Sequence, residues 1–167
     1  MPASDGDGWV HCRCGRRHWG RHGAAGLVLL RGDAAGSRVL LQHRSDQVHD
    51  GGTWALPGGA RDSHEDVVTA ALREAFEEVA VPAAAVTVLA CMRGSDHGDW
   101  SYTYVLGRTG PTTTARPATF ETAGLDWVPG AGPPPAGKRL HASLAADWPR
   151  LAQVVAALAD GGPSAPA

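Results

Sequence analysis

Residues 65–79 carry an apolar pattern of helical period, with three glutamates on the opposite face. At 100° per residue one arc is apolar, formed by Val68, Ala71, Leu72, Ala75, Phe76 and Val79. Glu74, Glu77 and Glu78 fall on the other arc, because residues three and four apart are neighbours on a helix. Ser63 followed by Asp66 predicts a capping box at the start of this helix. One face is therefore expected to join a core, while the other presents three carboxylates.

The crowding of these carboxylates is unusual for a chain with glutamate at only five positions, 65, 74, 77, 78 and 121. Like charges at i and i+4 cost about 0.2–0.5 kcal/mol on a helix, and Arg73 is the only cation close by in sequence. A divalent cation would relieve the repulsion, and carboxylate oxygens suit Mg²⁺ or Mn²⁺. A solvated helix face is the alternative interpretation of the charge pattern alone.

Length and composition favour a single domain in a cytoplasmic protein. The 167 residues are 43% hydrophobic, which suits a single core, and a net charge of -2 argues against a general nucleic-acid binder. No segment approaches the ~20 apolar residues of a membrane helix, and the N-terminus lacks the pattern of a signal peptide. Three cysteines, an odd number, favour a reduced, cytoplasmic protein.

Alternating and apolar runs predict a mixed α/β domain. We expect strands at 23–30, 37–44, 85–93, 100–108 and in part of 120–129, and a loop at 47–59. A C-terminal helix is expected to restart at Pro149 with Asp147 as its cap. Residues 1–8 and 161–167 are expected to be disordered, which leaves one domain over 9–160.

The spacing of the charged residues resembles the Nudix box. From Gly59, five residues lead to Glu65, seven more lead to Arg73-Glu74, and Glu77-Glu78 follow before the segment ends at Val81. The lead-in "WALPGG" at 54–59 is also similar to that of the family. Two positions depart from the pattern: Ala75 is small, and Ala80 replaces the last glycine. Because a left-handed residue often follows such a helix, alanine there would cost on the order of 1 kcal/mol.

The resemblance implies a Nudix-type α/β/α sandwich, with a mixed sheet between the Nudix helix and the C-terminal helix. It implies Mg²⁺-dependent hydrolysis of a diphosphate linkage in a small molecule, usually a nucleoside diphosphate derivative. Glu74 and Glu78 match metal ligands, Glu77 matches a third that binds directly or through water, and the Gly58 carbonyl matches a further ligand position. Arg73 and Glu65 match the pair that braces the loop and helix. A homodimer is left open.

Further site residues follow from the resemblance and from position in the chain. Some Nudix enzymes use an additional loop glutamate as general base or metal ligand, so Glu121 joins Glu65, Arg73 and Glu77 as a catalytic candidate. Candidate substrate contacts are His97, Trp100, Tyr102 and Arg44, together with Gln42 and His43, which precede Arg44 at the end of a strand leading toward the site. Two alternatives remain: a non-catalytic ligand-sensing module of the same fold, and a housecleaning hydrolase of modified nucleoside triphosphates.

The segment "HCRCGRRHWG" at 11–20 offers four candidate zinc ligands, His11, Cys12, Cys14 and His18. Tight zinc sites usually use two separated pairs of ligands, and adjacent His11 and Cys12 would point apart in an extended chain. A reduced surface turn, or the remnant of a zinc ribbon, is the alternative, and the sequence leaves the choice open.

Overall fold

The computed structural model describes residues 4–33 and 36–160. The tail 161–167 and residues 1–3, both expected to be disordered, lie outside this range. Within it, the first five strands are β1 Trp9–His11, β2 Arg17–Trp19, β3 Ala24–Asp33, β4 Gly36–Arg44 and β5 Trp54–Ala55. The remaining strands and α-helices are β6 Gly58–Ala60, α1 Val67–Val79, β7 Val86–Asp96, β8 Ser101–Thr109, β9 Thr122–Pro129 and α2 Ala142–Asp160, and a short 3-10 helix lies at Ala83–Ala85.

The main sheet is mixed and centres on β3. Its strand order is β5-β4-β3-β8-β7, with β6 also paired to β3 and β9 to β4. β3 and β8 run parallel, and every other pairing in this sheet is antiparallel. β1 and β2 form a separate two-stranded hairpin.

Alternation along β3 builds the two cores, because successive side chains of a strand point to opposite faces of the sheet. Leu27 and Leu29 pack with α1 on one face, while Val28 and Leu30 pack with α2 on the other. The predicted sandwich of two helical layers around a mixed sheet is therefore confirmed. Among the described residues, no helix is both long and apolar enough to cross a membrane.

The N-terminus of α1 differs from the predicted capping box. The helix begins at Val67, and the Asp66 carboxylate accepts a hydrogen bond from the Thr69 N–H at 2.7 Å. Ser63 instead donates through its backbone and hydroxyl to Asp5. Within residues 4–8, for which disorder was expected, Ser4 and Gly6 both donate to Asp62.

The buried face of α1 is rotated from the arc that the sequence predicted. Ala71 and Ala75 let the helix approach the sheet closely, and Glu78 turns inward beside them. Phe76, which was expected in the core, is 58% exposed. The prediction was wrong because it assumed that all the glutamates faced solvent.

Two further expectations are corrected by the backbone. The predicted loop 47–59 contains β5 and the start of β6, whose Gly58 and Gly59 pair with β3 without any side-chain alternation to reveal a strand. α2 does not restart at Pro149 but continues through it. Asp147 is not a cap, since its carboxylate accepts from the Tyr104 hydroxyl at 2.9 Å.

Ala80 ends α1 in the left-handed conformation that the missing glycine would favour. Its φ is 57° and its ψ is 30°. The Ala80 N–H donates to Phe76 O at 3.0 Å, and the Val81 N–H reaches Ala75 O at 3.4 Å. The helix end is thus satisfied at the cost of a strained alanine.

Replacing Ala80 with glycine is therefore expected to stabilise the protein by about 1 kcal/mol, because glycine adopts a positive φ without steric cost. Urea unfolding of Ala80→Gly measures this. The control is Ala84→Gly at an exposed residue that is not among those with positive φ, where glycine should destabilise by up to about 1 kcal/mol. A loss of stability in Ala80→Gly would contradict the strain.

Candidate active site

Arg73 joins the start of the predicted motif to its helix. Its guanidinium donates to both carboxylate oxygens of Glu65, at 2.6 and 2.9 Å, and to the Ala60 carbonyl at 2.9 Å. The Glu65 side chain is 3% exposed, and it also accepts from the Asp62 N–H at 3.0 Å. The bonds from Arg73 lower the pKa of Glu65 despite its burial. The loop 60–65 is therefore fixed to α1 by a bidentate salt bridge.

The same guanidinium also holds two of the helix glutamates. Arg73 Nη1 lies 2.8 Å from Glu74 and 3.2 Å from Glu77. The side chain of Glu77 is 51% exposed, whereas that of Glu74 is largely buried. Glu77 is thus free on its solvent side, while Glu74 is set within the protein.

Gly59 provides the space that Glu74 occupies. A Cβ at position 59 would stand 2.6 Å from an oxygen of the Glu74 carboxylate, far inside contact distance. A side chain there would displace the carboxylate. The first glycine of the motif is therefore required by the position of Glu74.

Glu78 is buried against the sheet at 8% exposure. Its Oε2 accepts from Gln42 Nε2 at 2.7 Å and from the Gly58 N–H at 2.9 Å. Gln42, only 1% exposed, in turn accepts from the Thr122 hydroxyl at 2.7 Å. A chain of hydrogen bonds thus runs from β9 through β4 to the helix carboxylate.

Burial gives Glu74 and Glu78 unusual protonation behaviour. Desolvation raises the pKa of Glu74 to about 7, against the opposing effect of Arg73. Desolvation, and after it repulsion from Glu74, raises the pKa of Glu78 to about 8. Two buried carboxylates that resist ionisation side by side are a place where a bound cation would be stabilising.

The remaining predicted site residues lie in two places. Glu121 is exposed just before β9, and its carbonyl accepts from the Ser45 N–H at 2.8 Å, next to Arg44. The Tyr102 hydroxyl lies over Gly26 and Gly58, and burial raises the Tyr102 pKa.

His97 and Trp100 instead stack on His18 of the β1–β2 hairpin, at centroid distances of 4.6 and 4.4 Å. The structure therefore does not show these two rings in contact with the helix glutamates. Their role as substrate contacts remains a prediction.

Two residues of the hydrogen-bond chain differ from the prediction: Gln42 was expected as a substrate contact and not as a partner of Glu78, and Thr122 was not predicted. Gln42 follows "RVLL" in a buried strand, and a polar side chain ending such an apolar run is a signal that it meets another polar group. Thr122 carries no comparable signal, because threonine is common in strands. Only the pairing of β4 with β9 brings it to Gln42.

Comparison with known proteins identifies the class. The profile of the NUDIX domain matches residues 20–147, and this chain belongs to the Nudix hydrolase family, whose members act on pyrophosphate bonds. A crystal structure of a Nudix hydrolase from M. smegmatis is 41% identical, with a TM-score of 0.83, covering 97% of this chain and all of that one.

Two curated relatives are also similar. A Mycobacterium tuberculosis protein named "Putative 8-oxo-dGTP diphosphatase 3" is 45% identical over 88% of this chain and 69% of its own length. A Bifidobacterium longum nucleoside triphosphate pyrophosphatase/Nudix hydrolase fusion protein is 39% identical over 88% of this chain, which spans 31% of that longer protein. A C. elegans Ap4A hydrolase, 23% identical with a TM-score of 0.65 and covering 83% of this chain and 99% of that one, shares the fold.

The raised pKa values of Glu74 and Glu78 predict a pH dependence of stability. Both groups ionise near 4.5 when unperturbed and near 7 and 8 in the fold. The folded state therefore holds more protons between these values, and the free energy of unfolding of the metal-free protein should fall as pH rises through them. Urea unfolding at about pH 5.5 and about pH 8.5 tests the sign.

Glu78→Gln should make this fall shallower, because glutamine cannot ionise. Asp66→Asn is the matched control at the start of the same helix, because the lowered pKa of Asp66 acts below this pH window, and it should keep the wild-type slope. The lowered pKa of Glu65 acts below about pH 4.5, outside this window. Equal slopes in wild type and Glu78→Gln would contradict the buried-carboxylate assignment.

Proposed function

We propose that this protein is a Mg²⁺-dependent hydrolase of a diphosphate linkage in a nucleoside diphosphate derivative or a related pyrophosphate. The observation that carries the proposal is the pair of buried, mutually repelling carboxylates, Glu74 and Glu78, beside the Gly58-Gly59 strand. A non-catalytic sensor of the same fold would have no need to retain this costly pair. The family relationship supports the reaction class.

The residues present fit a hard divalent cation. Glu74 and Glu78 would be its ligands, with the Gly58 carbonyl and Glu77 as the further ligands, since carboxylate and carbonyl oxygens suit Mg²⁺ or Mn²⁺. In the described part of the chain, the helix glutamates do not form a set of three oxygens within 4.8 Å of one another. Glu77 is half exposed and would approach from the solvent side.

When bound, the cation would neutralise phosphate charge and lower the pKa of an attacking water. Arg73 would keep Glu74 and Glu77 oriented, and Gln42 would hold one oxygen of Glu78. Arg44 would face the phosphates: its Nε is buried without a hydrogen-bond partner within the described residues, and its charge lowers the pKa of Glu78.

A second candidate substrate class is modified nucleoside triphosphates. It is favoured by the 45% identity to the M. tuberculosis relative, whose name refers to 8-oxo-dGTP. A Mg²⁺-dependent screen would compare 8-oxo-dGTP with dGTP, nucleotide sugars and dinucleoside polyphosphates, and identify the products.

The three cysteines are free in the structure, which fits the cytoplasmic setting that we also propose.

Glu78→Gln tests the metal assignment. The glutamine carbonyl can still accept from Gln42 and Gly58, so the fold should survive while kcat falls at least about 100-fold, since even partners of metal ligands are worth ~10–100-fold. Asp66→Asn is the matched control on the same helix, because asparagine also caps helices well. Activity of Glu78→Gln within a few-fold of wild type would overturn the assignment.

Glu121→Gln tests the general base. A positioned base contributes ~10²–10⁴-fold, so kcat should fall by that factor with little change in KM or in the Mg²⁺ concentration needed. Asp126→Asn, a carboxylate on β9 bound to Lys138 at 2.8 Å, is the control and should be near wild type. A parallel loss of Mg²⁺ affinity would make Glu121 a ligand instead, and a normal rate would exclude both roles.

A further inference from the structure

The β1–β2 hairpin brings three soft ligands together away from the helix glutamates. Its turn is closed by the Cys12 N–H donating to Arg16 O and the Gly15 N–H donating to Cys12 O, both at 3.0 Å. Gly15, at φ 84°, supplies the left-handed residue of the turn. As a result Cys12 and Cys14 meet His18, which lies on the returning strand.

The donor atoms of this cluster have the separations of a metal site. One donor from each of Cys12, Cys14 and His18 lies within 4.8 Å of the others. Cys14 Sγ is 3.1 Å from His18 Nε2. Around a tetrahedral zinc, bond lengths of ~2.3 Å to sulfur and ~2.0 Å to nitrogen put these two atoms about 3.5 Å apart. A shift of about half an ångström would therefore accommodate the ion.

The cluster is held from both sides. The Cys14 N–H points at Cys12 Sγ at 3.5 Å, which holds the first sulfur within the turn. Arg13, between the cysteines, binds Asp99 of the β7–β8 turn with several hydrogen bonds, the shortest 2.7 Å. The ligands are thus arranged before any metal arrives.

The imidazole of the cluster is fixed by the same turn. The His18 ring stacks on both His97 and Trp100. Trp100 Nε1 in turn donates to the Trp19 carbonyl at 3.1 Å, which ties the turn to β2. A ring held in this way loses little freedom when it binds a metal.

We propose that Cys12, Cys14 and His18 bind a Zn²⁺ ion, with water in the fourth position. Two thiolates and an imidazole are the ligands that select zinc, whereas the helix carboxylates select Mg²⁺ or Mn²⁺. His11, one of the four ligands considered from sequence, lies on β1 opposite Arg17 and does not belong to this set of donors. The site joins the hairpin to the β7–β8 turn through the contacts of Arg13 and His18.

Two separated pairs of ligands are not needed for zinc in this geometry. One turn supplies both sulfurs, and the strand that leaves it supplies the nitrogen. The exposed Cys14 side leaves room for the water.

The test measures zinc directly. Reduced, zinc-free protein in saturating Mg²⁺ is titrated with Zn²⁺ against a competing chelator, and with Co²⁺ to record thiolate-to-metal charge-transfer bands. We expect one Zn²⁺ per chain, thiolate bands with Co²⁺, and a higher melting temperature with zinc. Cys14→Ser and His18→Ala should each weaken zinc binding by at least about 100-fold, since more distant partners of ligands cost ~10–100-fold.

Two controls separate this site from the proposed active site. Cys91→Ser removes the other exposed free cysteine and should bind zinc as wild type does. Glu78→Gln, expected to lose hydrolysis, should also keep zinc. Wild-type affinity in Cys14→Ser, or loss of zinc in Glu78→Gln with no thiolate bands, would overturn the proposal.

Discussion

The contact between Arg73 and Glu65 is the constraint on which the rest of the site depends. It ties a loop of irregular backbone to a helix packed on the sheet, and the same guanidinium reaches Glu74 and Glu77. Because Arg73 also binds the Ala60 carbonyl, it fixes the end of β6 whose glycines face the carboxylates. A lysine could not make these contacts together, since it is a single point charge without the planar fork.

Around that contact, small residues create the room and large polar ones fill it. Gly59 leaves space for Glu74, and Gly58 offers its N–H to Glu78. Ala71 and Ala75 bring α1 close enough to the sheet for Glu78 to reach Gln42. This burial raises the pKa values of two carboxylates, Glu74 and Glu78, which would not occur on a solvent-exposed helix face.

Sequence predicted the layers and the helix because periodicity and charge spacing are local signals. The helices on both faces of a mixed sheet were implied by the resemblance to the Nudix box, and the two cores beside β3 agree with this. The sequence also predicted a strained alanine at the end of α1, and it matches Ala80. It was wrong about Phe76 and about the inward turn of Glu78, because the rotation of a helix is set by what it packs against. Thr122 could not be found, since its contact spans 80 positions of the chain.

The proposed zinc ligands also show that sequence does not reveal which residues the fold brings together. Their residue types are visible in the sequence, but ligand spacing alone disfavoured a site. Only the pairing of Val10 with His18 shows that the strand returns its imidazole to the turn. The types of ligand residue were therefore visible in the sequence, whereas their arrangement in space was not.

The Leu56 carbonyl determines which way the Gln42 amide points, because a carbonyl can only accept and Gln42 Nε2 donates to it at 3.3 Å as well as to Glu78. The amide oxygen is therefore left to accept from the Thr122 hydroxyl. Thr122 is also the immediate neighbour of Glu121, so the loop bearing Glu121 and the carboxylate on α1 are mechanically linked through a single side chain. A displacement of that loop would break the hydrogen bond from Thr122 to Gln42, and would change the support of Glu78 without requiring any movement of the helix.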